Sequence, residues 1–338
     1  MEFLRPATGF SSRRIKIVTV TALIVLAALV GALQGVVYAR PAVDVDSAEV
    51  LYERDAGRKP GLRAVFFGTS TILLTDGMSS IMTDGFFSRP SWLRLMMSIK
   101  PDPEEINFAL RKAPSKIDAI FVAHAHHDHA MDSGLVAQKT DAIVYGSEST
   151  LNIARGQSTP EHQLRVLKVG QTVLIGHFRV TAFETPHSPD AISPGFITHP
   201  VQFPAKLGEF RAAENHSFFV EHPLGKVLIV PSANYSVNAF EGLQADIVIL
   251  GIGTLGRQSN VFTETYWNEV VTKTGAKLVL PVHWDDFTQS LRAPLVPLPL
   301  FADNMNVAME WLGPLAKRDG VAIRFLPSLR EVTLPAGN

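Results

Sequence analysis

A short histidine-rich stretch limits what this chain can fold into more than any other part of its sequence. Residues 124–129 contain four histidines and one aspartate, directly after the mostly apolar run 117–122. A strand that leads into a tight loop would bring four of these side chains to one point: His124, His126, Asp128 and His129. Imidazole nitrogens and carboxylate oxygens are ligands of Zn²⁺ and of other divalent ions. The stretch therefore predicts a metal site at the end of a strand.

Two other interpretations of this stretch are a polar loop without metal and a purely structural metal site. Structural zinc sites are usually closed by four ligands, often cysteines. The chain has no cysteine, so any metal would be held by histidine, aspartate and water. Because the spacing is specific, we favour a catalytic metal site over both alternatives.

The N-terminal part of the chain has a different character. Residues 17–37 form an uncharged, mostly apolar run of about membrane-spanning length. Arg13, Arg14 and Lys16 precede this run, whereas only Arg40 follows it closely. Such a bias favours a cytoplasmic N-terminus. We therefore expect a membrane anchor or a signal segment, with the rest of the chain outside the cytoplasm (the periplasm in a Gram-negative bacterium).

These features divide the 338-residue chain into three predicted parts. Residues 1–40 are the cytoplasmic tail with the anchor or signal segment, residues 41–61 are a linker, and residues 62–338 are the functional domain. The net charge of −1 argues against an extended nucleic-acid surface, so we expect no nucleic-acid partner. The oligomeric state has no recognisable signal in the sequence.

Short apolar runs in the third part predict two successive sets of β-strands, each followed by helices. The first set contains the runs 64–67, 71–74 and 80–83. The dipeptide Asp76-Gly77 lies between the last two runs and is typical of a hairpin turn. The second set contains the runs 216–220, 226–230, 247–250 and 277–280. This order predicts an α/β fold with two sheets.

Two isolated histidines follow predicted strands in this domain. His187 follows the strand 177–183, and Pro186 and Pro189 stiffen the loop around it. His283 follows the apolar run 277–280.

Two segments bear on the substrate. Residues 89–100 mix apolar and cationic side chains, which favours a helix that covers the core; contact with a membrane or an amphiphilic substrate is the alternative. Residues 188–213 form a long loop with several prolines and three phenylalanines, as is typical of a lid over a binding site.

The pattern H-x-H-x-D-H at residues 124–129 resembles the signature of the metallo-β-lactamase superfamily. Gly68-Thr69-Ser70 and Thr83-Asp84-Gly85 resemble the opening motifs of the same superfamily. The resemblance implies an αββα sandwich over residue 62 to the C-terminus, with the metals at one edge. The sequences around Asp84 and His283 look most like the branch of N-acylphosphatidylethanolamine phospholipases D and sugar lactonases.

The resemblance also implies a ligand set. His124, His126 and His187 would hold a first metal, and Asp128, His129 and His283 would hold a second. Asp84 would orient a ligand histidine. Ser232 stands near the position where many relatives have a bridging aspartate, so the second ion would bind more weakly. The expected cofactor is one or two Zn²⁺ ions, although iron and manganese also suit such a set.

The activity that follows from this resemblance is metal-dependent hydrolysis. A metal-bound hydroxide, oriented by Asp128, would attack a carbonyl carbon or a phosphorus. Segments 89–100 and 188–213 favour a phosphodiester substrate, a lipid among them, while the membrane would be a partner through the N-terminal segment. A lactone or β-lactam substrate is the alternative. A metal-binding membrane protein without catalysis is the second alternative.

Overall fold

The computed structural model describes residues 12–41, 61–113, 116–189, 193–212 and 214–335. Within these residues the chain forms sixteen strands and eight α-helices. The predicted linker over 41–61 lies almost wholly outside the described residues.

The described strands follow one another in this order: β1 (Arg63–Phe66), β2 (Ile72–Thr75), β3 (Ser80–Thr83), β4 (Ser98–Ile99), β5 (Ala119–Phe121), β6 (Ile143–Gly146), β7 (Leu164–Val166), β8 (Thr172–Ile175), β9 (Phe178–Glu184), β10 (Ala205–Lys206), β11 (His216–His222), β12 (Gly225–Val230), β13 (Ile247–Gly251), β14 (Leu278–Val282), β15 (Ala322–Ile323) and β16 (Glu331–Thr333).

The described α-helices are α1 (Ser12–Val37), α2 (Trp92–Leu95), α3 (Pro103–Leu110), α4 (His127–Ala130), α5 (Ser133–Thr140), α6 (Glu148–Gly156), α7 (Asn260–Trp267) and α8 (Met305–Asp319). A π-helical turn, Asn268–Thr272, continues α7.

Two sheets of seven described strands each form the centre of the molecule. The first has the order β16-β1-β2-β3-β5-β6-β7, and the second has the order β15-β14-β13-β12-β11-β9-β8. Strands β3, β5, β6 and β7 are parallel neighbours, as are β12, β13, β14 and β15. Loops that follow parallel strands leave the sheet at one edge, and that edge carries the histidine-rich stretch.

The side chains of the first sheet alternate between two apolar layers, as they must in a pleated strand. Ala64 and Phe66 belong to the core that also contains residues of the second sheet, α7 and α8. Val65 and Phe67 point the other way, into the core that contains residues of α3, α5 and α6. Helices therefore cover the outside of both sheets, which is the predicted αββα sandwich.

The N-terminal segment is helical over α1, but the prediction of a membrane-spanning or signal helix is not supported. Among the residues that the structure describes, no helix combines the length and the apolar character needed to cross a membrane. That prediction depended on the apolar length of residues 17–37 and on the cations that precede them. The cellular location stays a prediction.

The structure departs from the local predictions at two places, residues 89–100 and the C-terminal strand, whereas the lid over 188–213 stays a prediction. Residues 89–100 do not form one helix: they contain the single turn α2 and the short strand β4, which pairs with β10. Strand β4 needs a partner more than 100 residues away, so local periodicity cannot reveal it. The lid predicted over 188–213 is only partly described, and it includes β10. The terminal strand β16, which pairs with β1, was not predicted.

Candidate metal centre

Three imidazoles form the first group of the candidate centre. His124 follows β5, His126 precedes α4, and His187 follows β9. The ring centroids of His124 and His126 are 4.8 Å apart, those of His124 and His187 are 4.6 Å apart, and those of His126 and His187 are 4.7 Å apart. One ligand atom from each residue lies within 4.8 Å of the others. The ends of two strands, β5 and β9, thus bring three nitrogens to one point.

His124 is the most unusual residue of this group. Its side chain is fully buried, and among the described residues neither ring nitrogen has a hydrogen-bond partner. Burial, together with the neighbouring histidines, holds the pKa of His124 well below its usual value. The ring is therefore neutral at neutral pH, which is the form that binds a metal.

Asp128, His129 and His283 form the second group. His129 Nε2 lies 3.2 Å from His283 Nε2, and Asp128 Oδ2 lies 3.3 Å from His283 Nε2 and 3.7 Å from His129 Nε2. Ligands about 2.0–2.1 Å from a tetrahedral zinc ion are about 3.4 Å from one another. Burial alone would raise the pKa of Asp128, but the nearby histidines outweigh burial and keep the carboxyl ionised.

Asp84 fixes the orientation of His129. His129 Nδ1 lies 2.9 Å from Asp84 Oδ2, and the other Asp84 oxygen accepts a hydrogen bond from the Ala123 backbone at 2.8 Å. Ser70 Oγ also donates to Asp84 Oδ2, at 2.5 Å. A hydrogen on His129 Nδ1 leaves the Nε2 lone pair directed at the metal group. Burial lowers the pKa of His129, but the carboxylates of Asp84 and Asp128 outweigh it and raise that pKa.

Two asparagines support the loop that carries His187. Asn234 Nδ2 donates to the backbone oxygen of His187 at 2.6 Å, and Asn215 Nδ2 donates to the backbone oxygen of Thr185 at 3.0 Å. His187 Nδ1 lies 2.9 Å from the Ser188 carbonyl, so Nδ1 carries the hydrogen and Nε2 can act as the ligand. The Ser232 hydroxyl donates to Asn215 Oδ1 at 3.2 Å. The structure thus ties Ser232 to this support and not to either described ligand group.

His283 is held by its backbone and by a glycine. Its φ is +60°, and its N–H donates to the Thr69 carbonyl at 2.6 Å. A Cβ atom on Gly253 would lie 2.7 Å from His283 Nδ1 and 2.7 Å from the His283 carbonyl oxygen, which is too close for any side chain. The next residue but one, Asp285, forms a fully buried ion pair with Arg89 at 2.6 Å. These contacts fix the loop after β14.

Both ligand groups border one cavity of about 320 Å³. Its polar floor contains residues of both groups, among them His126, Asp128, His187 and His283. Its wall is mostly apolar, with Trp92, Leu95, Phe210, Phe287, Leu298 and Phe301. The rings of Trp92 and Phe301 are 5.1 Å apart. Arg257, in a short 3₁₀ turn, is the cation at the rim. The cavity therefore joins metal-binding side chains to an apolar surface.

The donor set fits one or two divalent ions. Five side chains supply imidazole nitrogens and one supplies a carboxylate, and both ring nitrogens of His124, together with Nδ1 of His283, have no other partner among the described residues. Such nitrogens are costly when buried without a partner, at about 1–3 kcal/mol each. Coordination of an ion by His124 would remove that cost for the nitrogen that binds it, whereas the His283 nitrogen that faces the second group is Nε2. The set also suits iron and manganese, so the residues define the site without defining the metal.

A third group of similar composition lies at the opposite end of the sheets. Asp76 Oδ2 lies 3.0 Å from His177 Nδ1 and 3.2 Å from His222 Nε2. His222 Nδ1 accepts a hydrogen bond from the Leu224 backbone at 3.1 Å, so its Nε2 carries the hydrogen and donates to Asp76. A nitrogen that carries a hydrogen cannot bind a metal. Although the three residues are close enough to hold an ion, they form a hydrogen-bonded clamp.

Comparison with known proteins identifies the family. The profile of the Metallo-beta-lactamase superfamily matches residues 64–230. With the sandwich and the ligand groups described above, this match shows that the chain contains a metallo-beta-lactamase superfamily domain, as its motif indicates. The branch suggested by the sequences around Asp84 and His283 is not confirmed.

Proteins with similar sequences include two UPF0173 proteins and an exodeoxyribonuclease. A UPF0173 protein of Pyrococcus furiosus is 26% identical over 148 residues, which are 44% of this chain and 60% of that protein. A UPF0173 protein of Pyrococcus abyssi is 23% identical over 67% of this chain and 85% of its own length. The exodeoxyribonuclease WalJ of Streptococcus pneumoniae is 26% identical over 37% of this chain and 47% of that enzyme. The chain therefore spans less than two thirds of the Pyrococcus furiosus protein and about half of WalJ.

Solved structures share the fold. Igni18, a metallo hydrolase from Ignicoccus hospitalis, is 14% identical with a TM-score of 0.51, and the match covers 82% of this chain and 99% of that one. The isothiocyanate hydrolase from Delia radicum gut bacteria is 14% identical with a TM-score of 0.52, over 81% of this chain and 100% of that one. These similarities support the architecture alone.

The structure brings all six predicted ligands together and places Asp84 behind His129. Sequence reasoning missed several supporting residues: Asn215, Asn234, Asp285 and Arg89. It also gave no role to His127, although this histidine stands inside the motif. The sequence does contain a signal for His127: it is a histidine at a motif position that supplies no ligand to either group, so it invites another explanation.

Proposed function

We propose that this metallo-hydrolase acts on a phosphodiester that carries an apolar group, with a lipid as one such substrate. One observation carries the proposal: four of the six ligands, two from each group, line a cavity whose wall is mostly apolar. A divalent ion held by these six side chains would lower the pKa of a bound water toward neutrality and would so supply a nucleophile at neutral pH.

The side chains of the chain have separate tasks in this proposal. Asp128 holds a water in position through its carboxylate, which the surrounding histidines keep ionised. His129 keeps its orientation because Asp84 accepts its Nδ1 hydrogen. The aromatic wall at Trp92 and Phe301 excludes bulk water and takes the apolar group of the substrate. Arg257 at the rim offers positive charge to an anionic substrate.

The test combines metal content with turnover. The full chain is loaded with zinc, and hydrolysis of a bis(p-nitrophenyl) phosphodiester, a lactone and a cephalosporin is measured for the wild type and for Asp128→Ala. We expect one to two equivalents of metal, preference for the phosphodiester, and a loss of activity of roughly 10³-fold in the variant. His177→Ala, in the distant group, is the matched control and should retain activity.

Each other outcome has a definite meaning. Preference for the lactone or the cephalosporin replaces the proposed substrate class but keeps the metal site. Full activity of Asp128→Ala contradicts the task given to this carboxylate. Bound metal without turnover of any substrate would favour a metal-binding protein without catalysis.

A further inference from the structure

His127 is a buried histidine that neither ligand group uses. It stands between the ligands His126 and Asp128 and begins helix α4. Only 9% of its side chain is exposed, and that small exposed part lines the cavity above the ligand groups. A buried polar ring at the substrate cavity requires a physical explanation, because burial of an imidazole is unfavourable.

Three phenylalanines surround the ring of His127. The ring centroid lies 6.0 Å from that of Phe86, 6.2 Å from that of Phe210 and 5.8 Å from that of Phe287. All three contacts are edge-on, at interplanar angles of 80°, 66° and 75°. A phenylalanine would therefore suit this position better than a histidine if packing were its only task.

The two nitrogens of His127 have different surroundings. Nε2 is buried and has no hydrogen-bond partner among the described residues. Nδ1 lies 3.6 Å from Asp128 Oδ1, which is too long for a good hydrogen bond. The negative carboxylate favours the tautomer with the hydrogen on Nδ1. A hydrogen-bond donor is thus held beside a ligand of the second group with no strong acceptor of its own.

We propose that His127 binds the substrate directly, by donating its Nδ1 hydrogen to an oxygen of the group that is hydrolysed. The inference rests on the proposed function and makes it more specific. The ligand has an acyl or phosphoryl oxygen at His127 and an aromatic-sized apolar group against Phe210 and Phe287. No proton is transferred, so His127 orients and stabilises this oxygen as a fixed donor.

Two substitutions of opposite character distinguish substrate binding from packing. His127→Phe keeps a ring among the three phenylalanines and removes the donor. His127→Asn removes the ring and keeps a side-chain N–H. If His127 only packs, His127→Phe is the better variant in every measurement. If His127 donates to the substrate, His127→Asn is the better variant in substrate binding while it is the less stable protein.

The main measurement is equilibrium binding of phenylphosphonate to the zinc-loaded full chain by calorimetry. This probe combines phosphoryl oxygens with an aromatic ring and is not hydrolysed. We expect the Kd to rise by about tenfold or more in His127→Phe and by less in His127→Asn. Metal content should stay unchanged in both variants, because His127 is not a ligand.

The contradicting results are equally definite. Equal or tighter binding by His127→Phe overturns the proposal, as does failure of the wild type to bind phenylphosphonate. Loss of metal from His127→Phe also overturns it, because the ring would then act through the ligands. Wild type that binds the probe with the expected order of variants but hydrolyses no substrate leaves His127 as a binding residue and removes the proposed function alone.

Discussion

Two groups of histidine and aspartate lie at opposite ends of the sandwich, and they differ in how their polar atoms are satisfied. At the metal end, His124 has two buried ring nitrogens without a hydrogen-bond partner among the described residues. At the other end, both oxygens of Asp76 and both nitrogens of His222 have partners. Composition and proximity are similar in the two groups, so neither property identifies a metal site.

The two groups differ in which nitrogen of each histidine ring carries the hydrogen. In the clamp formed by Asp76, His177 and His222, the Leu224 N–H decides which nitrogen of His222 carries the hydrogen, and that nitrogen faces the carboxylate. At the metal end, Asp84 takes the hydrogen of His129 on the side away from the site. A lone pair directed at the centre marks a ligand, and a hydrogen directed at the centre marks a structural contact.

The largest expected effect concerns the first ligand group. Replacing His124 and His126 together by alanine should remove most of the bound metal and lower turnover by at least roughly 10³-fold, because the ion loses two of its three protein ligands. Elemental analysis and turnover of the purified protein check both parts. Replacing His177 and His222 by alanine is the matched control, and metal loss from that control would show that the clamp also binds an ion.

A smaller effect is expected when the orientation of a ligand is disturbed. Asp84→Asn should weaken metal binding by about 10- to 100-fold, since His129 loses the carboxylate that fixes its tautomer. Competition with a chelator measures the affinity. Asp118→Asn is the control, because the Asp118 side chain accepts a backbone hydrogen bond from Ser80 and lies 3.8 Å from the Lys116 ammonium group, and neither partner belongs to a ligand group. Equal affinities in the two variants would contradict the role of Asp84.

The clamp should show its importance in stability and not in metal content. Asp76→Asn should lower the free energy of unfolding by about 2 kcal/mol at neutral pH, because a buried carboxylate with four donors becomes a neutral amide. Burial alone would raise the pKa of Asp76, but hydrogen bonds from Ser79, His177, Met78 and His222 outweigh it and lower that pKa. Urea unfolding measures the difference, with unchanged metal content as the second result.

The pH dependence of that difference has a fixed sign. A carboxyl group with a lowered pKa in the folded state stabilises the protein above its ordinary pKa of 3.8 and loses this effect as the pH falls below that value. The gap between wild type and Asp76→Asn should therefore close in acid. A gap that stays constant from pH 7 to pH 3 would show that the ionised carboxylate is not the source of the stability.

The smallest effect is expected at the exposed member of the clamp. His177→Ala should lower the free energy of unfolding by about 0.5 kcal/mol, because the His177 side chain is 56% exposed and water can replace its contact with Asp76. His222→Ala should cost more, since His222 is buried and also accepts the Leu224 hydrogen bond. Urea unfolding of both variants ranks them, and the reverse order would contradict this account.

Local signals predicted most of the sandwich. Strand β3 has the predicted bounds, because Asp76-Gly77 forces a turn and the following run is apolar. The short strands β4 and β16 escaped prediction because each exists only through a distant partner. The prediction of one helix over residues 89–100 failed for a related reason. Leu95 is buried and Met96 is 84% exposed, but this segment owes its structure to distant residues, which periodicity does not reveal.

The candidate site was predictable to the extent that its residues are adjacent in sequence. His124, His126, Asp128 and His129 lie in one loop, and His187 and His283 each follow a strand that ends at the same edge. The clamp joins residues 76, 177 and 222 across three turns, and no local pattern connects them. Asn215 and Asn234 support His187 through hydrogen bonds to backbone oxygens that come close only in the folded chain, so the sequence could not reveal their role.

Gly253 gives the metal end a constraint that reaches beyond its polar residues. Any side chain there would overlap both the ring and the carbonyl of His283. In a library of all single substitutions selected for activity, this residue should tolerate replacement as poorly as the histidines do, even though it offers no donor, acceptor or charge. The positions that tolerate no substitution would therefore include more than the metal ligands. Gly253 would be among them because even the methyl group of alanine has no room there.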